Sequence, residues 1–140
     1  MTLYTKYKIL QETAVALSID KLIVEEVDGK LLIEGIAKSG EDKTKLWDLY
    51  SQLEPNFLAD DLLLNVRVNP NELGRKAMLN TEEKNLRLYK GPGVNLPIVT
   101  TIGVDQVVNV LCKANADWWL LRTEEGEEGY CYVSKIDLVS

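Results

Sequence analysis

Ala116-Asp-Trp-Trp-Leu-Leu-Arg-Thr-Glu-Glu-Gly-Glu-Glu-Gly-Tyr-Cys-Tyr-Val133 holds two of the chain's three tryptophans and two of its six tyrosines, set in two apolar runs joined by an acidic, glycine-bearing segment. The Trp/Leu and Tyr/Val runs suit a pleated, half-buried surface, and residues 124–128 with Gly126 at their centre suit a turn, so the stretch predicts a β-hairpin. Neighbours along a strand point to opposite faces, so Trp118 and Trp119 cannot share one core, and one of them is expected to face outward. Leu120 has the parity of Trp118 and Leu121 that of Trp119, which leaves open which face is buried. Aromatic side chains at this density either build the core of a small domain or offer a flat surface on which a ligand can lie.

Outward from the hairpin, residues 86–138 show short apolar runs separated by turn residues, with hardly any helical period. Leu86-Arg-Leu-Tyr89 precedes Lys90-Gly-Pro-Gly93, the run 98–102 precedes Gly103, and the run 107–112 precedes the polar segment 113–117. Short strands with closely spaced turns predict a small all-β barrel over 86–140. The run resembles a bacterial SH3-like domain. Leu86-Arg-Leu-Tyr-Lys-Gly-Pro-Gly93 is similar to that family's opening strand and Gly-Pro turn, and Ala116-Asp-Trp-Trp119 with Gly129-Tyr-Cys-Tyr-Val-Ser134 is similar to its closing strands.

That resemblance implies a groove lined by Trp118 and Tyr89, with Tyr130 or Tyr132 contributing. A thin core also needs large side chains, and packing is the first reading of Trp119 and Tyr130, while Trp118 and Tyr132 stand between core and ligand surface. Eukaryotic members of the fold read proline-rich peptides. This chain has Tyr132 where their pattern carries the groove proline, and Lys135 near their second tyrosine, so the bacterial members resemble it better. They are associated with cell-wall peptides and glycans, which makes a cell-wall glycopeptide the first expected partner and a protein partner the second. The acidic residues 124–128 could attract an amine, although a solvated turn is the first reading of them.

Residues 1–68 read differently. Leu3, Tyr7, Leu10, Ala14 and Leu17 are spaced four, three, four and three, which predicts one amphipathic helix. The run 19–27, the turn Asp28-Gly29 and the run 30–37 predict a hairpin. Ser39 with Glu41 and Asp42 just after it predicts a capped helix whose apolar face is Leu46, Leu49, Tyr50 and Leu53, with Trp47 beside it, ended by Pro55-Asn56. Alternating Leu62, Leu64, Val66 and Val68 predict a third strand. This helix-strand-strand-helix-strand order, with Val27-Asp-Gly-Lys-Leu-Leu-Ile-Glu-Gly-Ile-Ala-Lys-Ser39 and Leu64-Asn-Val-Arg-Val68, resembles the BON domain of bacterial envelope and stress proteins. Asn56-Phe57-Leu58 stands where that family usually has a glycine-valine step. Residues 69–85 change to Asn-Pro-Asn-Glu-Leu-Gly and polar residues around Ala77, Met78 and Leu79, which predicts a linker with one helical turn. The fold class expected is therefore α+β: a BON-like module over 1–68, a linker over 69–85 and an SH3-like barrel over 86–140.

The chain has 140 residues, 16 basic and 22 acidic side chains, and a net charge of −6. No segment is basic enough for phosphate-driven nucleic-acid binding. Met1-Thr-Leu-Tyr-Thr-Lys-Tyr-Lys-Ile-Leu10 lacks the charged start and apolar run of a secretory signal, and no window has the length of a membrane span, so the chain as given is expected in the cytoplasm, or in the envelope if a leader has been removed. With no histidine, general catalysis by imidazole and the commonest metal ligand are absent. Gly91-Pro-Gly93 lacks the later glycine and lysine of a phosphate loop, and adjacent carboxylate pairs such as Glu25/Glu26 diverge on a strand. Cys112 and Cys131 lack the close spacing of zinc or redox motifs; two buried thiols are expected, with a bridge between neighbouring strands as the alternative. The expectation is a binding protein without catalytic residues, metal site or cofactor. A BON module also occurs beside a wall-binding module in a cytoplasmic potassium-binding family, which gives a cation-responsive protein as the alternative, and an assembly scaffold is a third.

Overall fold

The computed structural model describes residues 2–57, 61–72, 74–79, 85–103, 106–115 and 117–138, the side chains of Asn56 and Val133 excepted. The chain divides into two units, Met1–Asn69 and Pro70–Ser140. In the first, α1 (Leu3–Lys6) and α2 (Lys8–Ala16) precede β1 (Asp20–Val27), β2 (Lys30–Ala37), α3 (Gly40–Leu53), a 3-10 turn (Pro55–Phe57) and β3 (Leu62–Val68). The helix expected over 3–17 is thus broken at Tyr7, whose backbone leaves the helical region. The spacing still works across the break, since Tyr7, Leu10 and Ala14 are all buried.

Asp28 and Gly29 both have positive φ, 50° and 80°, as a two-residue hairpin turn matched to strand twist requires. Val27 accordingly pairs with Lys30, and β1 and β2 run antiparallel. From β2 the chain crosses through α3 and returns as β3, parallel to β2 in the register Leu31 to Leu62 and Ile33 to Leu64. Ser39 caps α3, its Oγ accepting the Asp42 N–H at 3.2 Å. Every second residue of β2 and β3 is buried: Leu31, Ile33 and Ala37 with Leu62, Leu64, Val66 and Val68. Each such leucine, isoleucine or valine contributes about 1.5–3 kcal/mol by leaving water, and Ala37 less.

The buried face of α3 is rotated from the expected one. Leu46, Trp47 and Tyr50 are buried, Leu49 is half-buried and Leu53 is exposed. Gly40, Lys43, Thr44, Trp47 and Tyr50 follow helical spacing with Trp47 on the stripe, and its ring meets those of Tyr50 and Phe57 at 5.9 and 5.7 Å. A polar knot fastens the start of the chain to the start of β3. The Tyr7 hydroxyl donates to Asp61, and Lys6 Nζ bridges Asp61, at 2.8 Å, and Glu54.

The second unit contains β4 (Arg75–Leu79), β5 (Asn85–Tyr89), β6 (Ile98–Gly103), β7 (Val108–Lys113), β8 (Trp118–Arg122), β9 (Glu128–Tyr132), a 3-10 turn (Val133–Lys135) and β10 (Ile136–Leu138). The strand order is β10-β4-β7-β8-β9-β5-β6, a seven-stranded sheet among the described residues. It is not a closed barrel: β10 and β6 are its two ends. Where a linker with a helical turn is expected, β4 is instead a strand paired with both β10 and β7. Ala77 is its buried residue, and the run is too short and too polar for a two-residue period to show. The core comprises Ala77, Leu86, Leu88, Ile102, Val108, Leu121, Cys131 and Ile136, edged by Leu79, Val110 and Trp119. The β8–β9 hairpin forms as expected, its turn closed by Thr123 N–H donating to the Glu127 carbonyl at 2.8 Å with Gly126 at φ 92°.

Candidate ligand-binding groove

The hairpin register sets Trp118 opposite Tyr132 and Leu120 opposite Tyr130, and Tyr130 pairs in turn with Tyr89 on β5. Opposed residues share a face, so Tyr89, Trp118, Tyr130 and Tyr132 all lie on one side of the sheet. Three of the rings touch. Trp118 meets Tyr89 edge-on, centroids 5.8 Å apart at 82°, and lies tilted against Tyr132 at 4.4 Å and 34°. Trp118 is the middle ring and is only 7% exposed, Tyr132 is 40% exposed, and Tyr130 is fully buried.

Beside this row lies a groove of about 330 Å³, lined among the described residues by Asn85, Leu86, Arg87, Tyr89, Tyr132 and Lys135. That volume suits a small ligand or the end of a larger one. Of the four aromatics expected at a site, Tyr89 and Tyr132 line the groove, Trp118 touches both of them, and Tyr130 is buried on the same face outside the described lining. Trp119 faces the other way, half-buried against the core, with its indole N–H buried and lacking an acceptor among the described residues. The expectation that one tryptophan faces solvent fails because Leu120 and Leu121 are both fully buried: β8 is an interior strand covered on both faces.

Arg87 and Asn85 were legible in principle, since both share strand parity with Tyr89. Lys135 was not, because it arrives through the 3-10 turn Val133–Lys135, which no periodicity announces. The acidic turn belongs to the opposite end of the hairpin. Glu128 lies four residues from Tyr132, roughly 13 Å along the strand. Its carboxylate pairs with Arg122 at 3.3 Å, and Arg122 also donates to the Glu72 carbonyl at 2.9 Å. Among the described residues, the charges lining the groove are therefore those of Arg87 and Lys135.

The two cysteines are both buried thiols and form no disulfide. Cys112 pairs with Leu120 and Cys131 with Trp119, so they sit on strands either side of β8 and point to opposite faces. Two strand spacings, roughly 9–10 Å, also exceed the reach of a disulfide. Burial pushes the Cys131 thiol up to about 12, which leaves it protonated and unreactive at neutral pH.

Residues 84–136 match the family described as Bacterial SH3 domain, a stretch that runs from just before β5 to the first residue of β10 and contains the whole groove. No curated protein matches the chain. The match to a bacterial SH3 domain thus falls within the second unit.

Proposed function

We propose that the chain is a non-catalytic bacterial binding protein whose SH3 domain recognises cell-wall peptidoglycan in this groove. The observation that carries the reading is the braced aromatic row. Tyr89 and Tyr132 wall the groove and each leans on the buried ring of Trp118. A tyrosine held by its neighbour gives up little freedom when a ligand lands on it, and that saving is about 0.5–1.5 kcal/mol per side chain otherwise immobilised. Sugar rings and peptide planes both present apolar surface that such rings can cover. The non-catalytic part of the reading is supported by a chain without histidine and by the protonated state of Cys131. For residues 1–68 we read a BON-like module, supported by the helix-strand-strand-helix-strand order that ends in a parallel β2–β3 pair.

The test is co-sedimentation of the purified chain with insoluble peptidoglycan, beside Tyr132→Ala. Tyr132 is the better probe than Trp118 because its exposed ring can be removed with little loss of packing, and circular dichroism checks that the fold persists. Sedimentation lost in Tyr132→Ala is the expected result. Wild-type protein left in the supernatant refutes the wall reading, and equal sedimentation of both proteins moves the site away from the groove.

A further inference from the structure

We infer that the groove holds its ligand by a carboxylate, the free C-terminus of a wall stem peptide that has not been cross-linked, with Arg87 as the principal partner and the peptide chain laid on Tyr132. The inference rests on the groove being the binding site and adds the ligand group that the site selects.

Over residues 70–140 acidic side chains outnumber basic ones ten to eight, yet the described lining carries two cations and no carboxylate. Arg87 is exposed and stands on β5 two residues before Tyr89, so its side chain shares that ring's face. Its cross-strand neighbour on β6 is Thr101, which places no acid opposite it. A guanidinium offers paired N–H donors in a fixed fork that matches the two oxygens of a carboxylate, whereas the ammonium of Lys135, also on the lining, is a point charge. Asn85, also on the lining, has an amide that can take up the last peptide group. Aromatic walls, one forked donor, one point charge and one amide together describe a pocket for the end of a peptide and not for its middle, where no charge is available to pair. C-terminal carboxylate capture is a recurring way of reading a chain end.

The experiment is calorimetric titration of the full chain with a synthetic stem tetrapeptide carrying a free C-terminal carboxylate, and with the same peptide as its C-terminal amide. The expected result is binding of the acid about tenfold tighter than of the amide, the loss of one charge-assisted pair at a solvent-open site. That preference should disappear in Arg87→Gln, persist in part in Arg87→Lys, and shrink as salt is raised. Equal binding of acid and amide, with both abolished by Tyr132→Ala, overturns the carboxylate inference and leaves the groove reading standing. Sedimentation with intact wall but no response to either peptide also overturns it, since the ligand is then elsewhere in the polymer. Absence of both sedimentation and titration overturns the two together.

Discussion

Gly129 sits where β9 passes β5, and replacing it by alanine probes the contact on which the aromatic row depends. A Cβ built there lies 2.6 Å from Leu88 Cβ and 3.2 Å from the Tyr89 carbonyl oxygen. Leu88 is fully buried and its Cβ moves only with its backbone, so relief requires β5 to shift away from β9. Those strands are joined through the single pair Tyr89–Tyr130, and Tyr89 is also the ring that meets Trp118. Overpacking of this kind costs about 1–3 kcal/mol. Alanine returns about 0.5–1 kcal/mol because its unfolded chain has less conformational freedom to lose than that of glycine. The net expectation is a loss of about 0–2.5 kcal/mol centred near 1 kcal/mol, and for a domain of this size a loss of about 1 kcal/mol lowers the melting temperature by roughly 4–8 °C. The assay is thermal unfolding of the full chain followed by near-ultraviolet circular dichroism, where the Tyr89–Trp118–Tyr132 contacts contribute. The folded spectrum of Gly129→Ala should itself be altered. Gly126→Ala is the control: φ 92° strains its backbone too, but nothing lies within 4 Å, so it should lower stability and leave the native spectrum unchanged. A Gly129→Ala protein that melts like wild type with an unchanged spectrum refutes the claim that close approach at Gly129 sets the row.

Three further outcomes follow from the same geometry. Burial pushes the Asp61 carboxyl upward, but hydrogen bonds from Lys6 and Tyr7 and the Lys6 charge outweigh it and hold the group below its ordinary value. Its contribution is then complete above the unfolded value of about 3.9 and is lost as pH falls through the depressed folded value, so the urea-midpoint gap between wild type and Asp61→Asn should be wide at pH 6 and close below about pH 4. A gap independent of pH would show that the knot contributes nothing through its charge. Ser39→Ala removes the side-chain cap of α3 and should cost about 1 kcal/mol by denaturant unfolding, with Ser39→Asp restoring most of it. In a Cys112→Ser background, Cys131 should stay silent to a thiol reagent at pH 8 until denaturant is added, and stoichiometric labelling of the native protein would contradict its burial.

How far the sequence discloses this molecule depends on how local the deciding interaction is. The strands Lys30–Ala37 and Leu62–Val68 and the cap at Ser39 were legible to the residue, because alternation and capping are short-range signals. The rotation of α3 was not, since Trp47 and Leu53 both fit an apolar stripe and only the rings of Tyr50 and Phe57 decide between them. The strand Arg75–Leu79 escaped for a similar reason: β10, which pairs with it, lies more than fifty residues away, and its own five residues look like a linker. Strand parity correctly separates Trp118 from Trp119, yet parity cannot say that both faces of an interior strand are covered. At the groove, Tyr89 and Tyr132 are visible as aromatics in the right motif and Arg87 shares the parity of Tyr89, whereas Lys135 arrives through a 3-10 turn that no periodicity announces.

The pairing of β4 with β10 has a consequence for how such a unit travels between proteins. Leu138 stands opposite Ala77 and Ile136 opposite Leu79, so the strand that begins the unit and the strand that ends it are hydrogen-bonded neighbours. The polypeptide therefore leaves beside the place where it came in. Such a unit can be spliced into a surface loop of a host while asking that loop to open by little more than one strand spacing, about 4.8 Å. It can equally be cut at an exposed turn and rejoined through its old ends, a rearrangement that compact folds with adjacent termini tolerate.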